Sequence, residues 1–527
     1  MIVDINFENP DVNVDIENPD VDVEITEAFD VEILAVPGPA GPPVEDGSLT
    51  VAQFSDTLKL QTVKDYVTPQ MFGAKGDGVN NDTNGIKAAI ESEANVVIFP
   101  EGEYLVNNNL PLKSNLKILG QGNATVRWNS IINTGSTFYI GGQSIENVIL
   151  ENITFDFGTL SDLRYGLSIL DSENIFIKDC TFLNCYGYAT RFNGCSNLHI
   201  VGCHFADITG GNGNPGGAIY GSDFHDVFIT ECSCSNIGDH FAYCAGATDI
   251  HNVVISDCNI STTGVNGLTN GAGIVLYANT YDVTITNCNF KQTRQGIYVG
   301  QYGDYQTNPH DVSIDNCVFD HMTTIAIELY GISSSLFVYR VNVSNCTINE
   351  ASSDGILARH CYRLNFNNIH MDRPYRYGIE ISDVQQSTFS NIVISGIRDV
   401  GIYVSNPTYR PDSSYNIYNN IVLTLRSSGA TSGNIGFYHR GGAYSIATNI
   451  IATGFNTNFI KNGYLSNFNF NKFDENRSIM FTSNIAEAIY HRVGDVVFNV
   501  NPTSGQPALW VCTVAGSPGT MTPVATI

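Results

Sequence analysis

Seven cysteines occupy the same position in seven near-copies of a nine-residue motif, and that recurrence leaves few architectures open. Typical copies are Asn174-Ile-Phe-Ile-Lys-Asp-Cys180-Thr-Phe182, Asn252-Val-Val-Ile-Ser-Asp-Cys258-Asn-Ile260 and Asp311-Val-Ser-Ile-Asp-Asn-Cys317-Val-Phe319. Cys203, Cys232, Cys288 and Cys346 mark the others, and Ile takes the place of Cys at Ile153, Ile369, Ile392, Ile421 and Ile450. Successive steps from 153 to 450 are 27, 23, 29, 26, 30, 29, 29, 23, 23, 29 and 29 residues. A fixed motif on a wandering period describes a rigid rung with variable loops, which is a solenoid.

Each copy alternates Val or Ile with polar residues, the period of a half-buried strand. The Asn or Asp before the Cys breaks the alternation, and these residues tolerate the left-handed backbone that a sharp bend needs. Cys-x-Phe then resumes as a second strand. A third precedes most copies, as in Gly273-Ile-Val-Leu, Gly296-Ile-Tyr-Val, Ala326-Ile-Glu-Leu, Gly355-Ile-Leu-Ala, Gly378-Ile-Glu-Ile and Gly401-Ile-Tyr-Val. Three short strands per coil, stacked at ~4.8 Å, predict an all-β parallel β-helix with an interior cysteine column. The column of Asn152, Asn287, Asn316, Asn345, Asn368, Asn391, Asn420 and Asn449 reads as an amide ladder at the bend. Thirteen cysteines on so regular a stack imply reduced thiols made in a reducing compartment.

With 52 acidic against 25 basic residues and a net charge of −27, nucleic acid and anionic membranes are poor partners. No apolar run reaches bilayer length, and the start lacks the pattern of a secretory signal. No CxxC pair, zinc-spaced His/Cys cluster, calcium-loop spacing or Gly-x-Ser-x-Gly elbow occurs, so no metal and no cofactor is expected.

Residues 1–35 repeat a turn followed by an alternating acidic strand, Glu8-Asn-Pro-Asp-Val-Asn-Val-Asp-Ile16 and Glu17-Asn-Pro-Asp-Val-Asp-Val-Glu-Ile25. They read as an anchoring β module that pairs with another protein; a disordered acidic tail is the alternative. Residues 36–66 hold a collagen-like fragment, Val36-Pro-Gly-Pro-Ala-Gly-Pro-Pro43, and a short neck. Residues 67–480 carry the coils, and 481–527 a small β module at the tip.

Phe72-Gly-Ala-Lys-Gly-Asp-Gly-Val-Asn-Asn-Asp-Thr-Asn-Gly-Ile-Lys-Ala-Ala-Ile90, followed by Val96-Val-Ile-Phe-Pro-Glu-Gly-Glu-Tyr-Leu-Val106, resembles the opening of pectate-lyase-like right-handed parallel β-helix proteins. Asp82 or Thr83 is the expected cap of a helix carrying Ile86, Ala89 and Ile90 over the end of the solenoid. Gly494-Asp-Val-Val-Phe498 with Trp510-Val-Cys-Thr-Val-Ala-Gly-Ser-Pro-Gly-Thr520 resembles the C-terminal module of phage tail fibres and tailspikes. The resemblance implies a homotrimeric bacteriophage tailspike, made in the host cytoplasm and attached to the tail or baseplate by its N-terminus. Its solenoid flank would bind host surface polysaccharide and often cleave it.

Alternation places Ile327, Leu329, Ile379 and Ile381 inward, so Glu328 and Glu380 face outward on one wall, two coils and ~9.6 Å apart. An inverting glycosidase separates its carboxyls by ~6.5–9.5 Å. Glu328 and Glu380 are therefore the candidate catalytic acid and base, with Leu357 between them raising one pKa. Arg359 is the candidate partner of an anionic sugar, and Tyr298, Tyr302, Tyr330 and Tyr403 of sugar rings. Two solvated carboxylates on a plain sheet are the bland alternative. Asp239, Asp304, Asp354 and Asp383 fall in loops that periodicity does not orient. A polysaccharide lyase using His310, His360 or the Asp239-His240 pair ranks below hydrolysis, and a non-enzymatic adhesin or structural fibre is the main rival.

Overall fold

The structure is a computed structural model and describes residues 66–129, 138–158, 165–210, 216–246, 249–261, 271–300, 309–332, 337–405, 415–425, 435–440, 445–453, 457–461, 465–469, 479–482, 496–499, 507–514 and 520–526. The acidic repeat and collagen-like stretch lie outside the described residues, as does Tyr302.

Every strand of the solenoid pairs in parallel with its counterpart one coil on, giving three walls. Wall 1 holds the Asn-x-x-Ile strands, such as Glu173–Lys178 and His310–Asp315. Wall 2 holds the Cys-x-Phe strands, such as Thr181–Leu183 and Val318–Met322. Wall 3 holds the third strands, including Gln295–Gly300, Ile327–Tyr330, Ile356–Tyr362, Tyr377–Gln385 and Val400–Ser405.

The bend between walls 1 and 2 is left-handed throughout. Asp179, Asp257, Asn287, Asn316, Asn345, Asn368, Asn391, Asn420 and Asn449 all have φ between 50° and 55°. The Asn amides bond along the column, Asn316 Nδ2 donating to Asn287 Oδ1 at 2.7 Å and Asn420 Nδ2 to Asn391 Oδ1 at 3.0 Å. In the Asn-bearing coils the cost of the backbone conformation is thus offset by a side-chain bond. From Asn365–Asp372 onward the strand runs unbroken through the corner, so walls 1 and 2 become one bent surface.

All thirteen cysteines are buried as free thiols, twelve of them in the solenoid and Cys512 in the C-terminal sheet. Those of the repeat donate to nearby carbonyls, as Cys288 does to Thr286 O at 3.3 Å. The adjacent Phe column stacks ring on ring, with 4.8 Å between Phe290 and Phe319 and 5.0 Å between Phe366 and Phe389. Stacking so close excludes water and fixes the coil height.

The N-terminal end is closed by helix Thr83–Glu91, whose Ile86, Ala89 and Ile90 are buried. Asp82 stands at the N-cap position but makes no cap bond. Its carboxylate instead accepts the amides of Lys75 at 2.5 Å and Gly76 at 3.1 Å, tying down the glycine loop. The first helical amide is taken by Asn81 Oδ1 at 3.0 Å, which corrects the expected capping. Gly76 has φ +63° and any Cβ would lie 2.9 Å from the Tyr104 ring, so no other residue fits this turn. At the far end Val496–Asn499, Pro507–Val514 and Thr520–Thr526 form an antiparallel sheet that Ile479–Thr482 joins in parallel.

Removing one ring from the interior stack leaves a void that neighbouring coils cannot close, because backbone pairing holds their height. Phe319→Ala is expected to cost ~3–5 kcal/mol of unfolding free energy in denaturant titration.

Candidate functional site

One outward ladder of wall 3 carries the candidate carboxylates. Pairing runs Tyr298 to Glu328, Glu328 to Leu357, Leu357 to Glu380, Glu380 to Tyr403 and Tyr403 to Tyr438. Glu328 and Glu380 therefore share a column, two rungs apart. The parallel column places Arg359 between Tyr330 and Ser382.

The wall is less open here than alternation implies. Leu357 is 6% exposed and Glu380 7%, which speaks against the bland alternative of two solvated carboxylates on a plain sheet. Apolar neighbours account for part of this, since Glu380 sits between Leu357 and Tyr403. Two guanidinium groups account for the rest. Arg376 Nη2 bonds Glu380 Oε2 at 2.6 Å, and Arg359 Nη2 lies 3.6 Å from Glu380 Oε1. Arg376 also grips Asp354 with two nitrogens, its Nε lying 2.8 Å from Oδ1. Asp354 is wholly buried and accepts the Tyr377 amide at 3.2 Å.

Burial pushes Glu328 up to about 7, with Arg359 pulling it down and Asp354 pushing it further up. Its Oε2 accepts from Gln295 Nε2. Burial, then the charge of Asp354, also raises Glu380 above the usual carboxylate range, while Arg376 and Arg359 pull it back. One carboxyl thus has a neutral amide as its hydrogen-bond donor and the other is clamped by cations, which divides their roles.

A stripe of tyrosines borders this centre on both sides. On one side Tyr188 and Tyr220 lie 5.1 Å apart, Tyr220 and Tyr243 5.7 Å, Tyr243 and Tyr277 5.3 Å, and Tyr277 and Tyr298 5.2 Å. On the other, Tyr377 stacks on Tyr403 at 4.8 Å, and Tyr403 lies 5.2 Å from Tyr438. Arg376 covers the Tyr377 ring at 4.6 Å and Arg359 the Tyr330 ring at 5.5 Å. Asp239, three rungs before Glu328, is 3% exposed, and its Oδ1 is buried with no hydrogen bond among the described residues. Burial raises it to about 7, and Arg294 lowers both it and Glu328.

Of the residues expected from sequence, Glu328, Glu380, Arg359, Tyr298, Tyr330 and Tyr403 come together. His310 does not: it lies on wall 1, stacked between Tyr281 and Tyr339 and bonded to Asp311 at 2.8 Å. His360 sits at a corner with Nδ1 2.8 Å from Asp383 Oδ2. His240 is fully enclosed and pushed down to about 4 by burial. Sequence reasoning missed Arg376, Gln295 and most of the stripe, and named Asp354 without orienting it. Tyr220, Tyr243 and Tyr438 share the Glu328 ladder and were readable by extending the column.

Comparison with known proteins agrees with this architecture. A family model for the right-handed β-helix region matches residues 165–308, and one for rhamnogalacturonase A/epimerase, pectate-lyase-like, matches 67–130. The pre-neck appendage protein of Bacillus phage phi29 is 27% identical over 212 residues, covering 36% of this chain and 22% of that one. The capsule K30/K69-specific depolymerase of Klebsiella phage K64-1 is 29% identical over 167 residues, 30% of this chain and 20% of that one. The chain therefore spans about a fifth of the length of these relatives. The solved tailspike of E. coli bacteriophage HK620, in complex with a pentasaccharide, superposes with a TM-score of 0.55 at 12% identity, covering 90% of this chain and 93% of the tailspike. This chain is a right-handed parallel β-helix. The expected right-handed parallel β-helix is thereby borne out, and the tyrosine-lined wall is its candidate site.

Between pH 4.5, the ordinary value for Glu, and about 7, the folded chain holds a proton at Glu328 that the unfolded chain has released. Stability therefore falls as pH rises through that window, with the deficit complete above it. Glu328→Gln keeps an acceptor for Gln295 and removes the deficit. It is expected to raise unfolding stability by ~1–3 kcal/mol at pH 8 and to change it little at pH 4, measured by denaturant titration at both values.

Proposed function

We propose that this chain is a phage tailspike that binds host surface polysaccharide and depolymerises it by glycosidic hydrolysis. Glu328 donates the proton to the departing glycosidic oxygen, and Glu380 takes one from the attacking water. The observation that carries the reading is the pair's placement in one column two rungs apart, ~9.6 Å between backbones. Side chains leaning together reach the separation that admits a water between carboxyl and sugar. The raised Glu328 supplies an acid near neutral pH, and Arg359 and Arg376 favour the ionised form of Glu380. Tyr298, Tyr330 and Tyr403 offer ring faces or edges to pyranose units, and Tyr302 belongs to the same set by its place in the sequence.

Tyrosines extend along the wall on both sides of the carboxylates, so a bound chain passes across the centre and is cut internally. In this reading residues 1–35 attach the protein to the tail or baseplate, residues 36–66 link it, and 481–527 form the tip. Three copies stand together and act at the host surface. Hydrolysis is preferred to elimination because His310 and His240 are engaged away from the carboxylate column, while His360 is held by Asp383.

Incubation of the protein with host capsule or O-polysaccharide is expected to release reducing ends without ultraviolet absorbance from an unsaturated product, with viscosity falling early. Unsaturated product would mean a lyase, and binding without cleavage an adhesin. Glu328→Gln and Glu380→Gln are each expected to lower kcat by ~10²–10⁴ while binding persists. If both variants cleave at the normal rate, the assignment fails.

A further inference from the structure

The corner between walls 2 and 3 sets two arginines in equivalent places with unlike surroundings. Backbone bonds of 2.9 Å run from Arg376 N to Ser353 O, from Ser353 N to Thr324 O and from Thr324 N to Arg294 O. Arg294 and Arg376 therefore share a column, three rungs apart. Arg376 spends its charge on two acids: Glu380, four residues on, and Asp354, on the preceding rung in register with Tyr377. The matching places around Arg294 hold no acid. Four residues on stands Tyr298, and the residue paired with Gln295 on the preceding rung is Ala272. Among the described residues the Arg294 guanidinium enters no ion pair and no hydrogen bond, and the residue is partly exposed.

Two carboxyls feel this charge without bonding it, Asp239 and Glu328, and burial holds both up to about 7. Arg359 is already engaged, near Glu380 and over the Tyr330 ring. A guanidinium left without an internal acid beside the carboxylate column can receive a planar anion, whose two oxygens match its paired N–H groups. We propose that Arg294 binds the carboxylate of a uronic-acid unit lying on the Tyr298 rung, and so directs the site to acidic polysaccharide. This specificity rests on the wall-3 reading proposed above and adds the charge of the substrate to it. Arg294 lies one rung, ~4.8 Å, before Glu328 along the stack, so the acidic unit neighbours the bond that Glu328 protonates. The rest of a chain of net charge −27 repels such a polymer, which makes a cation without an internal partner the feature that admits it.

The test uses the full-length protein and the host polysaccharide it binds, intact and after carbodiimide activation and borohydride reduction have turned its carboxylates into neutral alcohols. Reduction is expected to weaken binding to the wild type by about 10–100-fold in titration calorimetry. Arg294→Gln is expected to lose the same factor on the intact polymer, read as a raised KM with kcat within about threefold, and to bind the reduced polymer as the wild type does. Arg294→Lys keeps the charge but not the paired donors and falls between the two. The native cysteines are all buried, so thiols that stay silent to a disulfide reagent show that a variant is folded. Should Arg294→Gln expose them, Arg294→Lys and the wild-type comparison of the two polymers decide. A host polymer free of carboxylates, equal wild-type binding of both polymers, or an equal loss on both in the folded variant overturns the role of Arg294. Carboxylate-dependent binding without release of reducing ends would instead sink hydrolysis and leave this contact standing.

Discussion

Backbone pairing between successive coils fixes the rise of the solenoid, and the remaining features inherit that spacing. A parallel ladder sets equivalent residues ~4.8 Å apart whatever their side chains. Rings at one position must stack, thiols must lie over one another, and amides at the corner fall within bonding distance of the next amide. The left-handed corner is tolerable because the coils repeat it, so the strain of one Asn is met by a hydrogen bond from its neighbour. A globular enzyme assembles its site from distant loops. Here the site is a consequence of which residue occupies one column.

The same spacing explains the electrostatics of wall 3. Carboxyls at Glu328, Asp354 and Glu380 on neighbouring rungs would repel strongly if all were charged and half-buried. Arg359 and Arg376 come from the same wall and neutralise the lower two, leaving Glu328 bonded to an uncharged amide. Its raised pKa follows from this arrangement: burial outweighs the pull of Arg359 and Arg294, neither of which bonds it. The asymmetry between the two glutamates is thus a property of local sequence, Gln295 on one side and Arg376 on the other.

Much of this was legible beforehand because β-helix rungs are local in sequence. The Cys-x-Phe repeat specified the inward columns, and alternation about Ile327 and Ile379 placed both glutamates correctly in one ladder. Burial was harder to read. Leu357 points outward by parity yet is enclosed, since enclosure depends on what arches over the wall rather than on the strand itself. Arg376 was missed because it precedes its strand, at a turn where alternation stops being informative, and Asp354 was left unoriented for the same reason. Asp82 was placed at the helix start but assigned the wrong bond: a carboxylate facing two free amides of a glycine loop satisfies more donors there than it would at the cap.

The described strands of wall 3 form a stacked surface, and that shapes what it can recognise. A single sugar laid on one or two rungs would meet a tyrosine edge, a guanidinium and little else, too few contacts to repay the loss of its own freedom. Affinity on such a surface grows by adding rungs, each contributing a weak contact at the same interval. The tyrosines continue for several coils beyond Glu328 toward Tyr188 and past Glu380 to Tyr438, far more than one residue of sugar can touch. In the proposed reading, a ligand that uses them is long and repetitive, with its scissile bond held over the carboxylates by contacts on both sides. The geometry therefore favours a polymer over an oligosaccharide end, and internal cleavage over trimming, for the same reason that the scaffold is a solenoid.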